Sequence, residues 1–126
     1  MNQLRNRSIV AAIGVAFALS WVSEVRTSPG RLQGQAREFT INASQFAFSP
    51  TRIEVQKDDL VKITFNSGDM PHSFTIDNPY RIAKRAGAGQ TVVFEFRADQ
   101  AGTHRFYCSL TQDDRCRKME GQLVVR

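Results

Sequence analysis

The chain has 126 residues and carries 17 Lys and Arg against 12 Asp and Glu, a net charge of +5 at neutral pH. That excess is mild and forms no basic stripe interleaved with aromatics, so nucleic acid is not an expected partner. Apart from the first 20 or so residues, the length suits one domain with one core, and the two cysteines raise the question of a disulfide.

Residues 1–20 have the layout of a secretory signal peptide. Arg5 and Arg7 come first with no acid nearby. Ile9 to Leu19 is apolar, and Ala18 and Ser20 place small residues at the −3 and −1 positions of a cleavage site. Extended to Val22, the apolar run is about 14 residues, against the ~20 that span a bilayer as a helix. An uncleaved anchor is the alternative. Either way the remainder is expected in an exported compartment, periplasmic or extracellular, and membrane contact is expected only through this segment. Without Arg5 and Arg7 the net charge falls to +3, with 15 basic and 12 acidic residues.

Residues 21–36 contain Ser, Pro, Gly, Arg and Gln without a sustained period, as in a flexible linker. From Arg37 the pattern changes, and residues 37–126 are expected to form the folded domain. Phe39 to Asn42 alternates as a half-buried strand should, and Phe46 and Phe48 continue that period until Ser49-Pro50 breaks it. Arg52 to Val55 resumes strand character. Lys57 to Asp59 is a turn, Leu60 to Phe65 a strongly β-prone strand, and Asn66 to Asp69 another turn.

Ser73 to Asp77 predicts a short strand. Asn78 to Gly89 resists that reading, and Ile82 to Ala86 is expected to form a helical turn or an irregular crossing. Thr91 to Phe96, Thr103 to Cys108 and Gln122 to Arg126 complete the strands, with a turn at Ala98 to Gly102. There is no internal repeat. Seven or so short strands predict an all-β sandwich or barrel, with the phenylalanines supplying much of its core.

Three residues carry the chemistry. His72 stands in a loop entering a strand, Cys108 ends a strand, and Met119 precedes the last apolar strand. Imidazole, thiolate and thioether are the ligands a soft metal selects, copper above all. Cys116 competes with that reading. Eight residues from Cys108, it can close a disulfide, and that bond would consume the thiolate copper needs. His104 lies four residues before Cys108 on one strand, so it stands too far off to share a metal, and its parity with Phe106 predicts a core histidine. Met70 is expected at the rim or in the core. No Ser/His/Asp or paired-carboxylate arrangement stands out, so an enzyme is not expected.

Five patterns in order resemble the cupredoxins, the Greek-key β-sandwich of the blue copper proteins. They are Phe48-Ser-Pro50-x-x-Ile53-x-Val55, Asp59-x-Val61-x-Ile63, His72-x-Phe74-x-Ile76, Gly102-x-x-x-Phe106-Tyr107-Cys108 and Met119-x-Gly121-x-Leu123-Val124-Val125. The segment is also similar to the copper domain of cytochrome oxidase subunit II. The resemblance implies that His72, Cys108 and Met119 are copper ligands. The family's second histidine is absent from the loop between Cys108 and Met119. Cys116 stands three before Met119, where the oxidase domain places histidine, and Asp114 stands five before it, where blue copper proteins do.

The resemblance therefore implies one copper ion on His72, Cys108, Cys116 and Met119, a soft set favouring Cu(I), with Asp114 as an alternative oxygen ligand. The Cys108–Cys116 spacing does not suit a dinuclear centre. The implied function is electron transfer or copper handling by an exported monomer. Arg115, Arg117 and Lys118 would bias docking towards an acidic redox or copper-exchange partner. The alternative is a metal-free binding or structural module closed by a Cys108–Cys116 disulfide.

Overall fold

The computed structural model describes Gly14 and residues 34–126. Nine strands and one short helix follow in order: β1 (Ala36–Ser44), β2 (Ala47–Ser49), β3 (Arg52–Val55), β4 (Leu60–Ser67), β5 (His72–Ile76), β6 (Ile82–Ala86), β7 (Thr91–Arg97), β8 (Gly102–Tyr107), α1 (Asp114–Arg117) and β9 (Glu120–Val125). They make two mixed sheets, β2-β1-β4-β7 and β3-β9-β8-β5-β6. Strand β1 runs parallel to β4 and β3 parallel to β9, while the other pairs are antiparallel. This is the Greek-key β-sandwich that the strand pattern and the resemblance imply.

Alternation in the sequence becomes the two faces of each sheet. In β4, Val61, Ile63 and Phe65 are fully buried while Lys62 and Thr64 point away from the core. Phe106 of β8 stacks on Phe74 of β5 with centroids 4.8 Å apart, and Phe48 meets Phe106 edge-on at 5.2 Å. These rings pack the centre of the sandwich. Burying such side chains stabilises by roughly 1.5–3 kcal/mol each relative to leaving them exposed.

Three expectations are corrected. Ile82 to Ala86 is neither helical nor irregular: it is edge strand β6, paired antiparallel with β5 from His72–Ala86 to Ile76–Ile82. Pairing to a neighbour overrides a composition of Ala, Lys and Arg that is weak for strands. Only Ile82 and Ala86 of β6 are buried, and Lys84 extends along the edge to place its Nζ 5.8 Å from the Phe94 ring centroid. The linker expected over 21–36 ends earlier, because Gln35 N–H donates to Asp59 Oδ1 at 2.7 Å and β1 begins at Ala36. The signal peptide expected over 1–20 and the rest of that linker lie outside the described residues, apart from Gly14.

The third correction is His104. It has the parity of Phe106 but sits near the far end of β8 and is only half-buried. Its ring meets Tyr80 edge-on at 5.0 Å, and its Nε2–H donates to the Gln100 carbonyl at 2.9 Å. Among the described residues no helix is long and apolar enough to cross a membrane.

Candidate metal centre

Three chain segments meet at the end of the sandwich where β5 begins and β8 ends. They are the β1–β2 turn, the β4–β5 loop and the β8–β9 loop that contains α1. The β4–β5 loop is pinned from both sides, by Gly68 N–H on the Ala43 carbonyl at 2.9 Å and by the Ser67 hydroxyl on the Met70 carbonyl. It delivers His72 into the core as the first residue of β5, with 0% exposure.

The β8–β9 loop brings both cysteines to His72. Cys108 follows β8 directly. Asp113 caps α1 by accepting from Arg115 N–H at 2.9 Å, and Cys116 is the helix's buried residue. The Arg115 guanidinium also bonds both Asp113 oxygens and holds the Asp113 carboxyl down at about 2. Met119 closes the loop through its backbone, donating to the Cys116 carbonyl at 3.0 Å and accepting from Cys108 N–H at 3.3 Å. Its side chain is buried.

His72, Cys108 and Cys116 present one ring nitrogen and two sulfurs within 4.8 Å of one another, all buried. The two sulfurs are joined as a disulfide with Cα atoms 5.4 Å apart. Asp114, the alternative ligand, is the exposed first residue of α1 and is not part of this group. Met70 is half-buried and contributes its carbonyl to the loop.

Sequence reasoning missed Asp69, Phe46 and the role of Arg115. Asp69 Oδ1 lies 3.0 Å from His72 Nε2, and its Oδ2 accepts from Gln45 N–H at 2.9 Å. Those two bonds, the Gln45 amide first, hold the Asp69 carboxyl below the usual carboxylate range. An ionised carboxylate only accepts, so the contact places a proton on His72 Nε2. Nδ1 faces Cys116 Sγ at 3.8 Å. A disulfide sulfur has no hydrogen to give, so in this contact the sulfur can only accept. Phe46 meets the His72 ring edge-on at 6.1 Å and roofs it.

A search of the curated proteins finds no match to this chain. Solved structures with the same fold include a chain of a heme-copper terminal oxidase dimer, at 20% identity and a TM-score of 0.66, over 73% of this chain and 65% of that one. This chain thus spans less than two thirds of that oxidase chain. Auracyanin A, a "blue" copper protein from the green thermophilic photosynthetic bacterium Chloroflexus aurantiacus, matches at 20% identity and a TM-score of 0.63, over 72% of this chain and 99% of its own. The periplasmic domain of cytochrome oxidase subunit II from Bradyrhizobium japonicum matches at 13% identity and a TM-score of 0.62, over 71% and 83%. The sequence itself matches the cupredoxin-like domain over residues 9–125, and the chain belongs to that family.

Proposed function

We propose that the reduced domain binds one copper ion, favouring Cu(I), and serves copper handling or electron transfer in an exported compartment. His72 Nδ1, Cys108 and Cys116 would hold the ion, with Met119 beside them. Copper bound there would supply one-electron chemistry or be the cargo itself. The observation that carries this reading is the buried group of one His72 ring nitrogen and two cysteine sulfurs within 4.8 Å of one another, with Nδ1 facing Cys116 Sγ at 3.8 Å. One imidazole and two thiolates fit a soft cation once the sulfurs are reduced. The solved relatives that include a "blue" copper protein support it as well. No catalytic turnover is assigned to the site.

Each protein group has a task in this scheme. The two sulfurs bind only as thiolates, so metal uptake and the disulfide exclude each other. Burial keeps water from the donors, with Phe46 edge-on to the imidazole. Arg117 and Lys118, exposed at the end of α1, would favour an acidic partner.

Native mass spectrometry on the protein reduced and offered Cu(I) tests this. The expected result is one copper per chain, lost in Cys108→Ser. Stoichiometric copper retained by Cys108→Ser would sink the reading. A second reading is favoured by the Cys108–Cys116 bond itself: a metal-free module locked by its disulfide. It requires the fully reduced protein to take up no copper.

A further inference from the structure

We propose that Asp69 is the positioning residue of this site: it selects Nδ1 of His72 as the nitrogen that faces Cys108 and Cys116. The copper arm of this inference rests on the reading above, whereas its tautomer arm does not.

A neutral imidazole has two tautomers, and a flip of the ring would exchange which nitrogen meets the sulfurs. Two contacts decide both questions. Asp69 Oδ1 lies 3.0 Å from Nε2 and requires a proton there. Phe46 stands against the ring at 89° and 6.1 Å, blocking the swing a flip needs. Asp69 is itself held, since Oδ2 accepts from Gln45 N–H at 2.9 Å.

That donor comes from an unusual turn. Gln45 and Phe46 are the two residues linking β1 to β2, and both lie in the left-handed region, at φ +49° and +58°. This is the backbone of a type I′ hairpin turn, normally built from Asn and Gly. Non-glycine residues hold such angles only where their surroundings over-determine them. Here the turn spends one N–H on Asp69 and one ring on His72. The same two residues thus fix the carboxylate and roof the imidazole.

A carboxylate on the far nitrogen also makes the near one more basic, and partners of this kind are worth about 10–100-fold in metal affinity.

Long-range proton–nitrogen NMR correlation of His72 in the metal-free, disulfide-bonded full chain tests the assignment, at about pH 8, above the ordinary histidine range. Wild type is expected to show the Nε2–H tautomer alone. Asp69→Leu is expected to release it to a mixture, and Asp69→Asn, whose Oδ1 still accepts, to keep it. In reduced protein, Asp69→Leu is expected to bind Cu(I) about 10–100-fold more weakly in competition with a chelator, and Asp69→Asn less so. A wild-type Nδ1–H tautomer overturns the proposal, as does an Asp69→Leu protein with unchanged tautomer. If Asp69→Leu does not fold, the wild-type tautomer alone decides. Absence of copper from reduced wild type would remove the copper reading and leave the tautomer result standing.

Discussion

The Arg115 guanidinium lies over the Phe46 ring, 4.0 Å from its centroid, and Phe46 in turn stands edge-on to His72. A residue of the cysteine loop thus clamps the roof of the histidine. The cation–π contact is worth roughly 0.5–1 kcal/mol at an exposed position. It links α1, which carries Cys116, to the β1–β2 turn, which carries the roof.

Removing the roof should expose the imidazole without dismantling the fold. Phe46 is half-buried and lies outside the Phe48, Phe74 and Phe106 stack. Phe46→Ala is therefore expected to leave the domain folded and make His72 reactive. Acylation of imidazole by diethyl pyrocarbonate, mapped by mass spectrometry, reads this directly, with half-buried His104 as the internal reference. Wild type should be modified at His104 and spared at His72, and Phe46→Ala should lose that difference. A His72 still spared in the variant means that Phe46 is not the barrier.

Acid stability should depend on Asp59. The residue is 1% exposed, and burial alone would push the carboxyl up. The N–H groups of Gln56 at 2.9 Å and Gln35 at 2.7 Å, with the Arg37 guanidinium at 3.4 Å, outweigh burial and hold it below its ordinary value. A carboxyl depressed in the folded state stabilises above its unfolded value, about 3.9, and loses that contribution as pH falls through the folded one. Urea unfolding should therefore show wild-type stability falling below about pH 4. Asp59→Asn should be less stable at neutral pH and show a shallower acid slope. Equal slopes in the two proteins would refute the assignment.

Strand positions were legible where side chains alternate, because a half-buried strand writes its two faces into the sequence. Val61, Ile63 and Phe65 are the clear case. Strand β6 was not legible, since Ala83, Lys84 and Arg85 are exposed and only the ladder with β5 makes them a strand. His104 shows a different limit: parity tells which face a side chain takes, but not how far along the sandwich it sits.

That His72, Cys108 and Cys116 gather at one end of the domain was legible, because the resemblance sets a loop histidine ahead of a strand-end cysteine and the loop after it. Whether the sulfurs meet each other or a metal was not, because eight residues permit both and redox chemistry decides. Asp69 and Phe46 were hidden for another reason. Gln45-Phe46 has neither Asn nor Gly to announce a hairpin turn, so nothing in the sequence says that this ring folds over the histidine.

Gly121 opens β9 against Phe106, and that contact gives a stability prediction. A Cβ at Gly121 would stand 2.7 Å from the Thr51 carbonyl oxygen and closer still to Phe106 Cζ. Phe106 cannot move aside, because Phe74 and Phe48 hold its ring. Replacing glycine by alanine usually gains about 0.4–1 kcal/mol through the unfolded chain. Overpacking of roughly 1–3 kcal/mol or more should exceed that gain here. Gly121→Ala is expected to be net destabilised, by about 1–2 kcal/mol in urea unfolding. An unchanged midpoint would mean that the backbone at Thr51 yields more readily than this packing implies.

Met119 can be tested apart from its packing. The backbone bonds that tie it to Cys108 and Cys116 survive any side-chain change, and leucine matches methionine in volume. Met119→Leu should therefore cost less than about 1.5 kcal/mol in stability and leave the disulfide intact. What it removes is the thioether, the one soft donor that leucine cannot replace. Cu(I) affinity of the reduced protein, measured against a chelator, is expected to fall roughly tenfold, or about 1.4 kcal/mol. Equal affinities in the two proteins would reduce Met119 to a core residue and leave His72, Cys108 and Cys116 as the complete donor set.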